Sequence, residues 1–357
     1  MKIGILTQPL GYNYGGILQN YALQEVLKSL GHSPQTIDFG FRYSKQRYIL
    51  SLLLSFVCNC LGIKRPYPPK PYKGKNIPSL TGRFITKHLF TTKPFDSCKW
   101  KSIRKYHFGA VIVGSDQVWR PAYNSYCSSI EDMFLPYEKG LGKKIAYAAS
   151  FGTSQWEYND EQTQSCKTLI KDFDAVSVRE ESGVLLLKKH LDYPYAQSVL
   201  DPTLLLPKEK YESLCRSVPC DTTKYVCAYV LDITDEKREL VSAVAKEKRL
   251  DIKFFSAHDN LNLSVEQWLS SFRDASFVIT DSFHGTVFSI IFEREFLVIP
   301  NAERGTDRFI SLLSAINLTD RIYNPESGMP ATINWANVKN RLSLLQDISL
   351  NFLKTSL

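Results

Sequence analysis

Short apolar runs alternate along the chain with longer stretches whose apolar positions recur every three or four residues. The runs at 2–6, 34–39, 110–113, 144–149, 175–178, 198–200, 224–231, 251–255, 277–280 and 296–299 read as buried strands. The stretches between them have the period of amphipathic helices. The first, 15–30, sets Leu23, Leu27 and Leu30 on one face and stops at Gly31. Strands separated by helix-length segments predict βαβ units and parallel sheets. A chain of 357 residues is long enough for about two domains. The pattern pauses at Asp201-Pro202, with Pro207 soon after, and then restarts, so this pause reads as a linker. The expected fold is α/β: two Rossmann-like domains, 1–200 and 201–325, with parallel sheets facing a central cleft. An amphipathic stretch at 333–353, within residues 326–357, is expected to be a helix packing back across the domains.

Residues 42–78 break the pattern. Positions 48–63 read Y-I-L-S-L-L-L-S-F-V-C-N-C-L-G-I, with Arg42, Lys45 and Arg47 before them and Lys64, Arg65, Lys70, Lys73 and Lys75 after. This run is shorter than the roughly 20 residues that span a bilayer. Bounded by basic residues, it suits an element lying in the interface of an anionic membrane; a buried helix followed by a Pro-rich surface loop is the alternative. Net charge is +8, concentrated in 42–105, which favours anionic partners such as phosphates, acidic sugars or lipid head groups. No nucleic-acid-binding module is recognisable, and no nucleic-acid partner is expected. The eight Cys lack zinc spacing, Cys58 and Cys60 forming C-x-C. No metal or cofactor is expected. Without a secretory signal the expected location is the cytoplasm, with peripheral docking on the inner face of its membrane.

Four turns follow strands and carry the candidate chemistry. In A-S-F-V-I-T-D-S-F-H-G (275–285) a buried strand stops abruptly, and Gly285-Thr286 is expected to open a helix. Carboxyl ends of strands and helix starts are where α/β proteins bind anionic ligands. His284 can exchange a proton there near neutral pH. In T-Q-P-L-G-Y-N-Y-G-G (7–16), Gly15-Gly16 lets a ligand approach the backbone, or merely permits a turn. In V-G-S-D-Q-V-W (113–119), Gly114 allows a sharp turn, and Asp116 either orients a sugar hydroxyl or caps a following helix. In S-V-R-E-E-S-G (177–183), Arg179 ends a strand and can grip a carboxylate or phosphate. Pairing with Glu180 is poor, because adjacent strand residues face opposite ways. Arg304 and Arg308 supply two further cations, with a surface ion pair as the alternative.

Taken in order, G-Y-N-Y-G-G, V-G-S-D-Q-V-W, K-I-A-Y-A-A-S-F-G, S-V-R-E-E-S-G, V-L-D-P-T-L-L and I-T-D-S-F-H-G resemble the polysaccharide pyruvyl transferase family over about residues 1–315. The resemblance implies a two-domain, GT-B-like enzyme that transfers pyruvate from phosphoenolpyruvate to a sugar as a cyclic ketal. It also implies that Arg179 and the loop holding Ser282, Phe283, His284 and Gly285 bind phosphoenolpyruvate. Several relatives read R-L-H-G where this chain has S-F-H-G, leaving the phosphate one cation short, a gap Arg304 or Arg308 is expected to fill. In this reading His284 protonates the methylene carbon and Asp116 assists the attacking hydroxyl. Asn13, Tyr14, Gly15, Gly16, Ser115 and Asp116 are candidates for holding the acceptor, expected to be a galactose- or mannose-type sugar on a polyprenyl diphosphate. A nucleotide-sugar glycosyltransferase and a non-catalytic component of a polysaccharide assembly complex are the competing readings.

Overall fold

The computed structural model describes residues 1–40, 45–62, 79–124, 127, 129–137, 142–255, 263–301 and 305–357. The first half runs β1 (Lys2–Leu6), α1 (Tyr14–Ser29), β2 (Ser33–Thr36), β3 (Phe39–Gly40), α2 (Lys45–Cys60), α3 (Ser79–His88) and β4 (Phe95–Asp96). It continues with β5 (Ala110–Asp116), β6 (Lys143–Ala149), α4 (Asp160–Leu169), β7 (Ala175–Val178), α5 (Glu181–His190) and β8 (Gln197–Ser198). The second half runs α6 (Lys208–Leu214), β9 (Tyr225–Tyr229), α7 (Asp235–Lys248), β10 (Asp251–Phe255), α8 (Val265–Arg273) and β11 (Phe277–Thr280). Then follow α9 (Phe283–Ile291), β12 (Phe296–Val298), α10 (Asp307–Ala315) and α11 (Trp335–Ser356).

Two parallel sheets form, as the alternation predicts. The six-stranded one has the order β2-β1-β5-β6-β7-β8 and the four-stranded one β10-β9-β11-β12; β3 and β4 pair separately. Every residue of β5 and β11 is buried, because helices cover both faces of such sheets and the strands become continuous apolar runs. Boundaries differ where the chain leaves a sheet early. The run at 34–39 stops pairing with β1 after Thr36, and Phe39 instead pairs with Phe95. Helix α9 begins at Phe283 with Ser282 as its N-cap, a half-turn ahead of the expected start at Gly285. His284 therefore lies inside the first turn of the helix.

The segment at 201–205 is no exposed linker. Pro202–Leu205 is a buried single turn packed against α1 and α11. Tyr211 donates to the Thr203 carbonyl at 2.8 Å and Gln346 to that of Leu204 at 2.6 Å. Helix α11 also reaches the first sheet: Ser349 Oγ accepts from Leu200 N, and Lys143 Nζ donates to the Ser356 and Leu357 carbonyls. Helix α1 is buried on more than its Leu face. Gln19, Asn20 and Gln24 are also inside, bonded to Thr7, to Thr36 and to both Thr36 and the Phe90 carbonyl. One apolar core accordingly runs from Ile3 in β1 through α1 to Trp268, Phe288 and Phe352.

Candidate functional site

Each sheet has a point where the chain, having moved outward on one side, crosses to the other. In the first sheet it lies between β1 and β5, and in the second between β9 and β11. Loops diverge there and leave a crevice at the carboxyl ends of the strands. The Thr7 and Asp116 turns meet at the first crevice, where Thr7 Oγ1 donates to the Ser115 carbonyl and Gln8 Nε2 to that of Gln117. The Ser282–His284 turn leaves the second. Asp281, next to it, is consumed in holding that turn together: it accepts from Leu231 N, Asp232 N, Lys237 Nζ and Asn301 Nδ2.

At the first crevice the turn is not made by Gly114. Ser115 and Asp116 both have positive φ, 24° and 74°, a costly backbone for non-glycine residues that tends to gather at functional sites. The next helical turn, Pro121–Tyr123, starts after Arg120, so the Asp116 carboxylate caps no helix. It accepts from Gln117 N at 2.9 Å and Asn13 Nδ2 at 3.4 Å. Arg179, just past β7, lies between two acids. Its Nη1 donates to Asp201 Oδ2 at 2.7 Å and its Nη2 stands 3.8 Å from Asp116 Oδ1.

Asp201 is the residue that sequence reasoning missed. It is wholly buried. One oxygen accepts from Thr203 N and Oγ1 at 3.0 and 2.6 Å; the other takes Ser115 Oγ at 2.9 Å and Arg179. That second oxygen is 3.8 Å from His284 Nε2, reached from the other sheet. Burial disfavours the Asp201 charge, but His284, the Arg179 guanidinium and the Thr203 bonds outweigh it and hold its pKa at about 2. The available signal was D-P-T, an acid whose side chain can bond the backbone two residues on.

His284 is 6 % exposed, and its ring lies against Gly15. A Cβ on Gly15 would stand 2.1 Å from Nδ1. The close approach that Gly15-Gly16 permits is therefore that of an imidazole from the second sheet. Burial is the main influence on His284 and lowers its pKa below the usual imidazole value. Asp201 and Asp116 pull it up, while Arg179 and Arg308 push it further down. Gly15→Ala must displace the ring, and a shift of about 1 Å in a reacting group can cost on the order of 10²-fold in rate. Such a loss is expected in that variant's turnover, with the thermal midpoint moved by only a few degrees. Near wild-type turnover would show that the ring need not sit there.

Phe283 lies between two guanidiniums, with Arg179 4.4 Å and Arg308 5.5 Å from its ring centre. Such stacking lets two cations stay close while their N–H groups point elsewhere. Arg308 is buried in the first turn of α10, and burial, followed by the Arg179 charge, lowers its pKa to about 10. Gly305, two residues before α10, lies directly against the first domain. At Gly305, φ is 86° and a Cβ would sit 1.6 Å from the Gly152 carbonyl oxygen. Glu180 fixes the other side of that contact, accepting from Ser150 Oγ, Phe151 N and Gly152 N. Burial raises the Glu180 pKa against the pull of Arg179 and of those bonds.

The structure thus gathers Arg179, His284, Phe283, Arg308, Ser115 and Asp116 around Asp201. Ser282 Oγ accepts from Gly285 N at 3.3 Å, so that N–H is already engaged, and a Cβ on Gly285 would strike Thr280. Asn13 reaches the site through Asp116, and Gly16 sits beside Asn13. Tyr14 points away from it: its hydroxyl donates to the Leu263 carbonyl at 2.7 Å and its ring stacks on Trp268. Arg304 lies outside the described residues. Among the described residues, Arg179 Nε and Nη2 and His284 Nε2 are buried without a hydrogen-bond partner. Buried guanidinium and imidazole nitrogens left open in this way fit an anionic ligand.

The structure is similar to UDP-N-acetylglucosamine 2-epimerase from Rickettsia bellii, with TM-score 0.45 and 12% identity over 99% of this chain and 96% of that one. It is also similar to S. aureus MnaA in complex with UDP, with TM-score 0.48 and 12% identity over 97% and 88%. A third likeness is to Arabidopsis thaliana UGT89C1 complexed with UDP, with TM-score 0.43 and 12% identity over 99% and 94%. Likeness at this level decides neither activity nor substrate. No match to the sequence was found among curated proteins. The profile of the polysaccharide pyruvyl transferase family matches residues 13–303, from the Asn13 turn of the first crevice past the His284 turn of the second; the chain belongs to that family.

Proposed function

We propose that this protein moves pyruvate from phosphoenolpyruvate to a sugar as a cyclic ketal and releases phosphate. The observation that carries the reading is the set of buried, open nitrogens on Arg179 and, from the other sheet, His284, with Arg308 against the same Phe283 and Asp116 3.8 Å from Arg179. Phosphoenolpyruvate carries a carboxylate and a phosphate and so offers anionic oxygens to each cation. Arg308 supplies the charge that this chain lacks at Ser282, where several members of the family it resembles carry Arg.

The steps balance without an oxidant. His284, as imidazolium, gives a proton to the methylene carbon while one sugar hydroxyl bonds to C2, its proton passing toward Asp116. The C2–O bond to phosphate then breaks, and a second hydroxyl closes the ketal and releases its proton. The net products are the ketal carboxylate and hydrogen phosphate. The acceptor in this reading is a galactose- or mannose-type sugar of a lipid-linked surface-polysaccharide precursor, handled in the cytoplasm.

Phosphate release from phosphoenolpyruvate by the purified protein tests this, with a panel of lipid-linked and nucleotide-linked sugars as acceptors. The expected result is acceptor-dependent release together with a product heavier by one pyruvate ketal. Consumption of a nucleotide sugar with no loss of phosphoenolpyruvate would replace this reading with glycosyl transfer.

A further inference from the structure

Helix α2 turns a broad apolar face outward. Its Ser55 is buried and Tyr48, Ser51, Leu52 and Cys58 are half-buried, whereas Ile49, Leu50, Leu53, Leu54, Phe56 and Val57 are all exposed, Phe56 by 59 %. At 3.6 residues per turn these six side chains share one arc of roughly 160°. An amphipathic helix of a soluble domain turns such an arc inward. Large exposed apolar patches mark surfaces made for a partner. The helix has 16 residues, about 24 Å, and among the described residues no helix is long and apolar enough to cross a membrane.

Charge selects the partner. Between residues 39 and 95 the sequence holds eleven Lys and Arg and no Asp or Glu, more positive charge than the net +8 of the whole chain. The remainder of the protein is therefore slightly acidic. Eight of the eleven lie within residues 42–75, immediately before, at the start of, or after α2. A second copy docking on this face would bring the same positive segment against itself. An anionic bilayer instead offers an apolar interior to the exposed arc and negative head groups to the flanks. We infer that α2 lies in the plane of an anionic membrane surface and docks the protein there. With the pyruvyl-transfer reading, on which this last step rests, the helix brings the cleft to an acceptor carried on a lipid.

The test uses the full chain and flotation with vesicles of phosphatidylcholine alone or mixed with phosphatidylglycerol. Binding is expected to be at least about tenfold stronger with phosphatidylglycerol and to weaken as salt rises. The combined L53S, F56S and V57S variant should lose binding by on the order of a hundredfold. Its thermal midpoint should be unchanged, because the parent side chains are already in solvent. If that variant fails to fold, Phe56→Trp serves in its place, its fluorescence quenched by brominated lipid. Absence of flotation, flotation unchanged in the triple variant, or a dimer that the triple variant dissolves would each overturn the proposal. Transfer to a water-soluble acceptor should be unaffected by the three substitutions, while transfer to the same sugar on a lipid in vesicles falls. Vesicle binding with no transfer to any acceptor would remove the pyruvyl reading and leave the membrane face standing.

Discussion

Replacing His284 by Ala should lower pyruvyl transfer by about 10² to 10⁴-fold, the range for loss of a general acid. The variant should still bind the donor through Arg179 and Arg308, so the loss is expected in kcat rather than KM. The pH dependence gives a second readout. Burial holds the imidazole pKa below its usual value, so at neutral pH most of it is neutral. An acid must be protonated, and kcat/KM should therefore fall as pH rises through this lowered value, which lies on the acid side of 6.5. Bound anionic donor stabilises the imidazolium, so the same limb in kcat should lie at higher pH. The His284→Gln profile should lose this limb. A profile identical to the parent's would assign the proton to another group.

Asp201→Asn should be the most destabilising single change at the site. The amide preserves the shape but removes the charge that Arg179 meets at 2.7 Å, with both side chains buried. Removing one partner of a buried pair leaves the other uncompensated and costs about 3–5 kcal/mol. Urea unfolding at neutral pH measures this. The pH sign follows from the carboxyl being held at about 2, below its ordinary value of 3.8. A depressed carboxylate contributes stability that is fully present above the unfolded value and is lost as pH falls toward the folded one. The parent should therefore lose about 2 kcal/mol from this group between roughly pH 5 and 2, and the variant should lose none from it. Activity should fall as well, because Arg179 loses its anchor and His284 loses the anion 3.8 Å away. Equal stability of parent and variant would mean that the guanidinium finds Asp116 instead.

The sheets were legible because parallel strands are buried on both faces, so 277–280 and 110–113 announce themselves as apolar runs. The turns at Asp116, Arg179 and His284 were legible because polar residues follow those runs at once. The poor pairing of Arg179 with Glu180 followed from strand geometry, and Glu180 does point to Ser150 and Gly152. Asp201 was not legible. Its partners Ser115, Arg179 and His284 are 86, 22 and 83 residues away in sequence and share no period with it. Its own setting, D-P-T, reads locally as punctuation. The purpose of Gly15 was hidden in the same way, since the atom that fills the space above it belongs to residue 284. The positive φ at Ser115 and Asp116 went to residues that pattern does not flag, while the neighbouring Gly114 was not used for it.

The burial of α1 on nearly every side has a consequence for how the chain is made. Its covering comes from Pro202–Leu205 and, at Tyr14, from Trp268, and β1 must wait for β5 about a hundred residues later. A ribosome that has released only the first two hundred residues has therefore produced a sheet whose central helix still shows apolar surface to water. Contacts this distant in sequence form slowly and leave sticky intermediates. The amino-terminal half expressed by itself should aggregate or require chaperones, and a break in the chain should be tolerated far better at an exposed loop such as 324–328 than at residue 200.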